Sequence, residues 1–111
     1  MIEIVECLNA QGASPYQEWF SSLDPQAAAI VTVATERLAD GNISRVKSIG
    51  EGAAEIRIDR GPGYRIYFGW DGKTLVVLLG GGTKRRQRRD IADALDLWRL
   101  YKARKATVRR R

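Results

Sequence analysis

The feature of this sequence that most restricts its fold is a pair of alternating segments joined by a glycine-rich turn. Apolar side chains recur at every second position from Ala54 to Asp59, and again from Tyr64 to Trp70. A period of two places successive side chains on opposite faces of a strand, so both segments are predicted to be β-strands. The turn between them, Gly61-Pro62-Gly63, predicts that they form an antiparallel hairpin.

The register of this hairpin follows from the need to bring the apolar faces of both strands together. Pairing Ile56 with Ile66 satisfies this requirement, and Ile58 then lies opposite Tyr64. The sequence therefore predicts this register, with a five-residue loop at 59–63.

The same register places Arg57 opposite Arg65, and Glu55 opposite Tyr67, on the second face of the hairpin. Two arginines in this arrangement repel each other, and an anion between them would relieve the repulsion. Phosphate suits the pair because a guanidinium donates two parallel hydrogen bonds to it. The alternative is that Glu55 neutralises the arginines on a solvated face. Tyr67 shares this polar face, where we expect it to stack on a base or to bind phosphate.

The flanking segments complete an α+β pattern. Residues 2–7 alternate as a short strand, and Ser14-Pro15 and Asp24-Pro25 each combine an N-cap with a proline at the first helical position. These signals predict a helical hairpin that stops at Gly41.

The second half of the chain is predicted to be an antiparallel meander followed by a helix. Asp71-Gly72 indicates a two-residue turn, and residues 74–79 form an apolar run typical of a central strand that ends at Gly80-Gly81-Gly82. Residues 90–105 carry an apolar stripe at helical spacing. Five aromatic residues at core spacing are predicted to belong to the core rather than to stack on bases: Trp19, Phe20, Phe68, Trp70 and Trp98. The expected fold is a single α+β domain over residues 1–111.

Charge is distributed unevenly along the chain, whose net charge is +6. Residues 1–83 contain seven Lys/Arg and ten Asp/Glu, whereas residues 84–111 contain twelve Lys/Arg and three Asp. A basic end of this kind favours nucleic acid as a partner, because dense lysine and arginine release counterions from phosphates. The alternative is a solvated basic tail from about residue 103, above all for Arg109, Arg110 and Arg111.

Composition argues against several other classes of protein. The chain has no histidine, and its single cysteine, Cys7, can supply neither a zinc cage nor an internal disulfide. No stretch approaches the roughly 18 apolar residues of a membrane helix, and residues 1–8 do not have the pattern of a signal peptide. We therefore expect a cytoplasmic protein without a bound metal or cofactor.

A second group of cations follows the three glycines, in Thr83-Lys84-Arg85-Arg86. Glycine allows a backbone to approach a ligand closely, although the P-loop pattern is absent. In a meander this strand end returns to the loop end of the preceding hairpin, near Arg65. Arg57, Arg65, Lys84 and Arg85 are therefore predicted to line one cleft, with surface decoration as the alternative.

Two segments, AEIRIDRGPGYRIYF and VVLLGGGTKRRQRRDIADAL, resemble the RelE/ParE superfamily of toxins, and in particular its HigB-like "addiction module killer protein" branch. The upstream segment SPYQEWFSSLDPQAAAIVTVATERLADGN is similar to that branch's helical hairpin, so the resemblance covers roughly residues 2–100. It implies a RelE-like fold, a twisted antiparallel sheet with two helices packed on one face. It also implies a toxin of a type II toxin–antitoxin system that cleaves mRNA at the ribosome.

The resemblance assigns roles residue by residue. Arg65 matches a phosphate-binding arginine, and Arg57 matches a basic residue proposed to act on the attacking 2′-hydroxyl. Lys84 and Arg85 match a basic pair that stabilises the scissile phosphate or the leaving group. These four are the predicted catalytic residues, and the neighbouring side chains predicted to bind RNA are Tyr67, Thr83, Arg86, Arg88 and Arg89. Glu55 stands where RelE has a second lysine, and Ile91 stands near the place of a functional tyrosine.

This chemistry requires neither histidine nor metal. RNA carries its own nucleophile, the 2′-hydroxyl, and clustered cations stabilise the phosphorane that its attack produces. On this interpretation Arg65→Ala abolishes toxicity and leaves the fold intact.

The resemblance also implies partners, and two other functions stay open. The implied partner is a helix-turn-helix antitoxin, and DNA would be contacted only through the antitoxin complex. The alternatives are a ParE-type poison of DNA gyrase, which shares the fold, and a non-catalytic nucleic-acid-binding module.

Overall fold

The computed structural model describes residues 1–109. Arg110 and Arg111, the end of the predicted basic tail, lie outside the described residues, whereas residues 103–109 of that tail are helical. The elements, in chain order, are β1 (Glu3–Glu6), α1 (Pro15–Ser21), α2 (Pro25–Ala39), β2 (Val46–Gly50), β3 (Ala53–Ile58), β4 (Tyr64–Asp71), β5 (Leu75–Thr83), a 3₁₀ turn (Lys84–Arg86) and α3 (Gln87–Arg109).

Both helices of the N-terminal hairpin begin where the capping signals predict. The Ser14 hydroxyl accepts a hydrogen bond from the Gln17 amide at 3.0 Å, and the Asp24 carboxylate accepts one from the Ala27 amide at 2.9 Å. Each cap satisfies an amide that the first helical turn leaves without a backbone partner. No helix within residues 1–109 combines the length and the apolar character that crossing a bilayer requires.

The five strands form one sheet in the order β1-β5-β4-β3-β2. Strands β2 to β5 are an antiparallel meander, as predicted. The expectation of a wholly antiparallel sheet is wrong, because β1 pairs in parallel with β5, with Glu3 opposite Leu75. The helical hairpin carries the chain from β1 at one edge of the sheet to β2 at the other. The meander then returns across the sheet, so that its last strand, β5, lies beside β1.

The predicted register of the central hairpin is confirmed. Ile56 lies opposite Ile66, and Arg57 lies opposite Arg65. Pairing of the apolar faces therefore set the register, and it brought the two arginines together as a consequence.

The sheet is covered on both faces. One face packs against α1 and α2 in a core that contains Tyr16, Val31, Leu38, Ile56, Ile66 and Phe68. The other packs against α3 in a second core that contains Cys7, Tyr67, Val77, Leu79, Leu97 and Trp98. The hairpin face that carries Glu55, Arg65 and Tyr67 was predicted to be polar, with a solvated face as one alternative, whereas the structure covers it with the apolar stripe of α3.

The prediction that the five aromatic residues belong to the core is confirmed. Phe68 and Trp98 are buried, whereas the other three are partly buried and pack against the first core: Trp19, Phe20 and Trp70.

The sequence predicted that the three consecutive glycines end β5. They do not, because the strand continues to Thr83. A Cβ atom at Gly81 would lie 2.2 Å from the Trp19 ring, and one at Gly82 would lie 2.0 Å from the Asp90 carboxylate. Gly81 therefore admits the Trp19 ring of α1 on one face of the sheet, and Gly82 admits the Asp90 carboxylate of α3 on the other. Consistent with this packing, α3 begins at Gln87 and not at the predicted Asp90.

Two neighbouring glycines test this explanation. We expect Gly81→Ala to lower the free energy of unfolding by about 1–3 kcal/mol, because the new methyl group overlaps the Trp19 ring. Gly80→Ala is the matched control, since a Cβ there meets nothing within 4 Å. Urea denaturation measures both, and equal losses at the two positions would contradict the packing role of Gly81.

Candidate nucleic-acid interface

The candidate site is organised around one buried carboxylate. Glu55 lies on β3 and is only 1% exposed. Its Oε2 accepts a hydrogen bond from Arg57 Nε at 2.7 Å, and both of its oxygens lie 2.9 Å from Gln87 Nε2. Arg65 Nε lies 3.7 Å from the same Oε2. Glu55 thus joins β3, β4 and the first residue of α3.

The predicted phosphate position between Arg57 and Arg65 is occupied by Glu55. The structure therefore supports the alternative in which a carboxylate of the chain neutralises the arginine pair. It differs from that alternative in one respect, because the site is covered by the start of α3 rather than solvated. Removal of the carboxylate is therefore costly, because it would leave the buried charge of Arg65 without a neutralising partner.

Arg65 is placed as a buried structural residue. It is 3% exposed, and its Nη1 donates to the Tyr64 carbonyl at 3.0 Å and lies 3.8 Å from Asp59 Oδ1. Its Nε has no hydrogen-bond partner among the described residues. Direct contact between this side chain and a phosphate, as predicted for a catalytic Arg65, does not fit this position.

Arg57 is the accessible member of the pair. Its side chain is 39% exposed, and the hydrogen bond to Glu55 raises the pKa of its guanidinium. The hydrogen bond uses Nε, at the inner end of the planar group, and thereby orients the guanidinium. Arg57 therefore presents a permanent positive charge beside the turn at residues 59–63.

The basic segment after β5 lies next to that turn. The Lys84 amide donates to the Gly63 carbonyl at 2.7 Å, and a Cβ at Gly63 would lie 3.2 Å from Lys84 Cβ and 3.6 Å from Arg65 Nη1. Lys84, Arg85 and Arg86 form a 3₁₀ turn, and all three are exposed. The meander thus brings Lys84 beside the hairpin loop, as its topology predicted.

The remaining predicted RNA-binding residues fall into two groups. Arg88 and Arg89 are exposed in the first turn of α3, and Thr83 is partly buried at the end of β5. Tyr67 is 1% exposed and belongs to the core beneath α3. Burial raises its pKa, and its hydroxyl has no hydrogen-bond partner among the described residues. The expected stacking of Tyr67 on a base is therefore incompatible with its position.

Gln87 is a site residue that the sequence analysis missed. The sequence analysis gave it no role, yet its amide bridges α3 to Glu55. The signal that could have identified it is its isolation as an uncharged polar residue within the run Lys84–Arg89. It holds the basic turn against the sheet, because it follows directly after Arg86.

Comparison with known proteins adds a family. Residues 18–111 match the family model described as "Phage derived protein Gp49-like (DUF891)". The chain is also 40% identical, over 80 residues, to an uncharacterized protein of Haemophilus influenzae, an alignment that covers 71% of this chain and 81% of that protein.

The role of the buried carboxylate is testable. Glu55→Gln keeps the shape of the side chain but removes the charge that neutralises Arg65, so we expect the free energy of unfolding to fall by about 3 kcal/mol. Asp59→Asn is the control, because its carboxylate also faces Arg65 but is 68% exposed. For that exposed pair we expect a loss of less than about 1 kcal/mol. Chemical denaturation measures the free energy of unfolding of both variants, and a similar small loss in both would contradict the structural role of Glu55.

Proposed function

This chain belongs to the Gp49-like family of phage-derived proteins, a RelE-like group of toxin-like proteins, and from that premise we propose that it is the toxin of a type II toxin–antitoxin pair. The proposed activity is endonucleolytic cleavage of mRNA, as in the HigB-like branch that the sequence resembles. The proposed location is the cytoplasm, and the proposed partners are the ribosome with its mRNA and a helix-turn-helix antitoxin.

One observation carries the proposal: exposed cations from two different strands lie at the same end of the sheet, on either side of β4. Arg57 comes from the end of β3, whereas Lys84 and Arg85 come from the turn after β5. A phosphodiester bound there would contact cations from several sides at once. Arginine and lysine in this arrangement bind a phosphate and also stabilise charge that develops on it during reaction.

The proposed division of labour follows from burial. Arg57 is the exposed guanidinium that is hydrogen-bonded to Glu55, and we assign it the stabilisation of the reacting phosphate. Glu55 and Arg65 are buried behind it and act as positioning residues, since Glu55 holds Arg57 Nε and Arg65 neutralises Glu55. Lys84 and Arg85 bind the adjoining phosphates or the leaving group.

The proposed reaction uses the RNA's own nucleophile. The 2′-oxygen attacks the neighbouring phosphorus, the bond to the 5′-oxygen of the next nucleotide breaks, and the products are a 2′,3′-cyclic phosphate and a 5′-hydroxyl. The 2′-hydroxyl proton passes to water, and the departing 5′-oxygen takes a proton from water or from Lys84. The cations stabilise the additional negative charge of the phosphorane, and the mechanism assigns no step to a metal ion.

Loss of an exposed cation should slow cleavage without unfolding the protein. We expect Arg57→Ala and Lys84→Ala each to lower the cleavage rate by about 10²-fold, the usual effect of removing one electrostatic donor. Lys73→Ala is the control, because Lys73 is an exposed cation in the turn between β4 and β5, away from the candidate site. Primer extension on mRNA after induction measures cleavage, and melting temperatures show whether each variant folds.

Several outcomes would count against the proposal. Full cleavage by Arg57→Ala and Lys84→Ala would exclude the assigned site, and arrest of DNA replication before protein synthesis would favour a gyrase poison. Arg65→Ala is a poor test, contrary to the expectation from sequence. Its removal leaves the buried Glu55 without a neutralising neighbour, so a loss of toxicity could reflect a loss of stability.

A further inference from the structure

A groove of about 370 Å³ lies between α2 and the end of β3, outside the candidate interface. Its floor is apolar and is formed by Ile30, Val33, Ala34, Val46, Ile56 and Ile58. Val33 is 44% exposed, and Ile43, in the loop after α2, is 57% exposed. Two of the more exposed large apolar side chains therefore lie at or next to this one groove, which is typical of a surface that binds a partner.

The rim of the groove has the opposite character. Four arginines line it, together with a single acidic residue: Arg37, Arg45, Arg57, Arg60 and Asp59. Asp59 already lies 3.7 Å from Arg45 and 3.8 Å from Arg65, so its charge is largely used within the chain. Among the described residues, Arg37 and Arg60 form no ion pair. The rim therefore carries excess positive charge around an apolar floor.

We infer that this groove, lined by the residues just named, binds an acidic amphipathic segment of a partner protein. Apolar side chains of the segment fill the floor, and its aspartates or glutamates pair with Arg37 and Arg60. The identity of the partner rests on the proposed function, which supplies an antitoxin. The chemistry of the segment rests on the groove alone.

Two other occupants fit the groove less well. A second copy of this chain, docked through the same surface, would bring two arginine rims face to face, and like charges at an interface repel. Nucleic acid would gain from the rim but little from the apolar floor, because the lining of the groove contains no aromatic side chain on which a base could stack. An acidic amphipathic protein segment uses both parts of the groove.

The groove has a functional consequence because the residue Arg57 also lines it, although its guanidinium is hydrogen-bonded to Glu55 on the α3 side of β3. A segment that occupies the groove and passes round the end of β3 would reach this guanidinium, which we assigned to the reacting phosphate. Binding would then place an acidic segment beside the cation that RNA requires. The two ligands would compete for Arg57, so binding of the partner would inhibit RNA binding.

The test uses the full chain and, as the probe, the protein encoded by the reading frame adjacent to its gene. Two variants alter the groove: Val33→Glu puts a charge on the floor, and the double variant Arg37→Glu/Arg60→Glu reverses the rim. Two controls make the same changes in charge elsewhere, at exposed positions outside the groove: Val108→Glu, and the double variant Lys73→Glu/Lys102→Glu. None of these residues belongs to the proposed catalytic group.

Association and dissociation rates of the probe separate the contribution of the apolar floor from that of the arginine rim. We expect Val33→Glu to speed dissociation of the probe by about tenfold or more, since apolar contacts act mainly on the dissociation rate. We expect the rim variant to slow association by about tenfold and to weaken its dependence on salt, as rim charges do. Both controls should stay within about twofold of wild type. A mixed-sequence RNA oligonucleotide should be displaced from wild type by the probe.

The outcomes separate this inference from the proposed function. Equal binding of the probe by all variants, or no binding by wild type, would overturn the groove assignment. A wild-type dimer in sedimentation that Val33→Glu dissociates would also overturn it. So would RNA binding that is lost in the rim variant while binding of the probe is kept. Translational arrest tests the proposed function separately. Groove variants that lose the probe yet arrest translation support both, whereas a wild type that binds the probe without arresting translation refutes the proposed function alone.

Discussion

A carboxylate buried between two arginines and an amide holds the central part of this structure together. Glu55 contacts Arg57 on its own strand, Arg65 on the next strand and Gln87 at the start of α3. Removing a charge of this kind from water is costly, and the cost is offset only when its partners are in place. The position of α3 on the sheet, and with it the position of the basic turn, therefore depends on this group.

The same arrangement sorts the basic residues by accessibility. Arg65 is buried and its charge is balanced inside the protein, whereas Arg57 is oriented by Glu55 but extends into solvent. The exposed cations of the basic turn are tied to the hairpin loop by the bond from the Lys84 amide to the Gly63 carbonyl. Among the many cations of the chain, Arg57 and those of the basic turn are thus held at the hairpin-loop end of the sheet.

That end adjoins the arginine-rimmed groove on the helical-hairpin side of the sheet. Arg57 adjoins both surfaces, because it lies at the end of β3 that lines the groove while Glu55 holds its guanidinium on the α3 side. A partner and an RNA would therefore compete for one guanidinium without sharing the rest of their contacts. In the proposed arrangement a partner would gain affinity from the apolar floor without covering the basic turn.

Local signals determined much of this fold. The capping residues set the starts of α1 and α2, and the period of two, with its apolar pairing, set the register that places Arg57 opposite Arg65. Each of these features depends on residues that are close in sequence or directly paired, so the sequence was enough to predict them. The predicted proximity of Lys84 to the hairpin loop followed from the same meander.

Only the tertiary structure decided how the second face of the central hairpin is covered. The pattern of β3 and β4 does not show what covers their second face, and α3 covers it with an apolar stripe from residues far along the chain. As a result Tyr67 and Arg65 are buried, Gly81 and Gly82 accommodate Trp19 and Asp90, and Gln87 reaches Glu55. Burial is a property of two packed surfaces, and a sequence pattern describes one of them at a time.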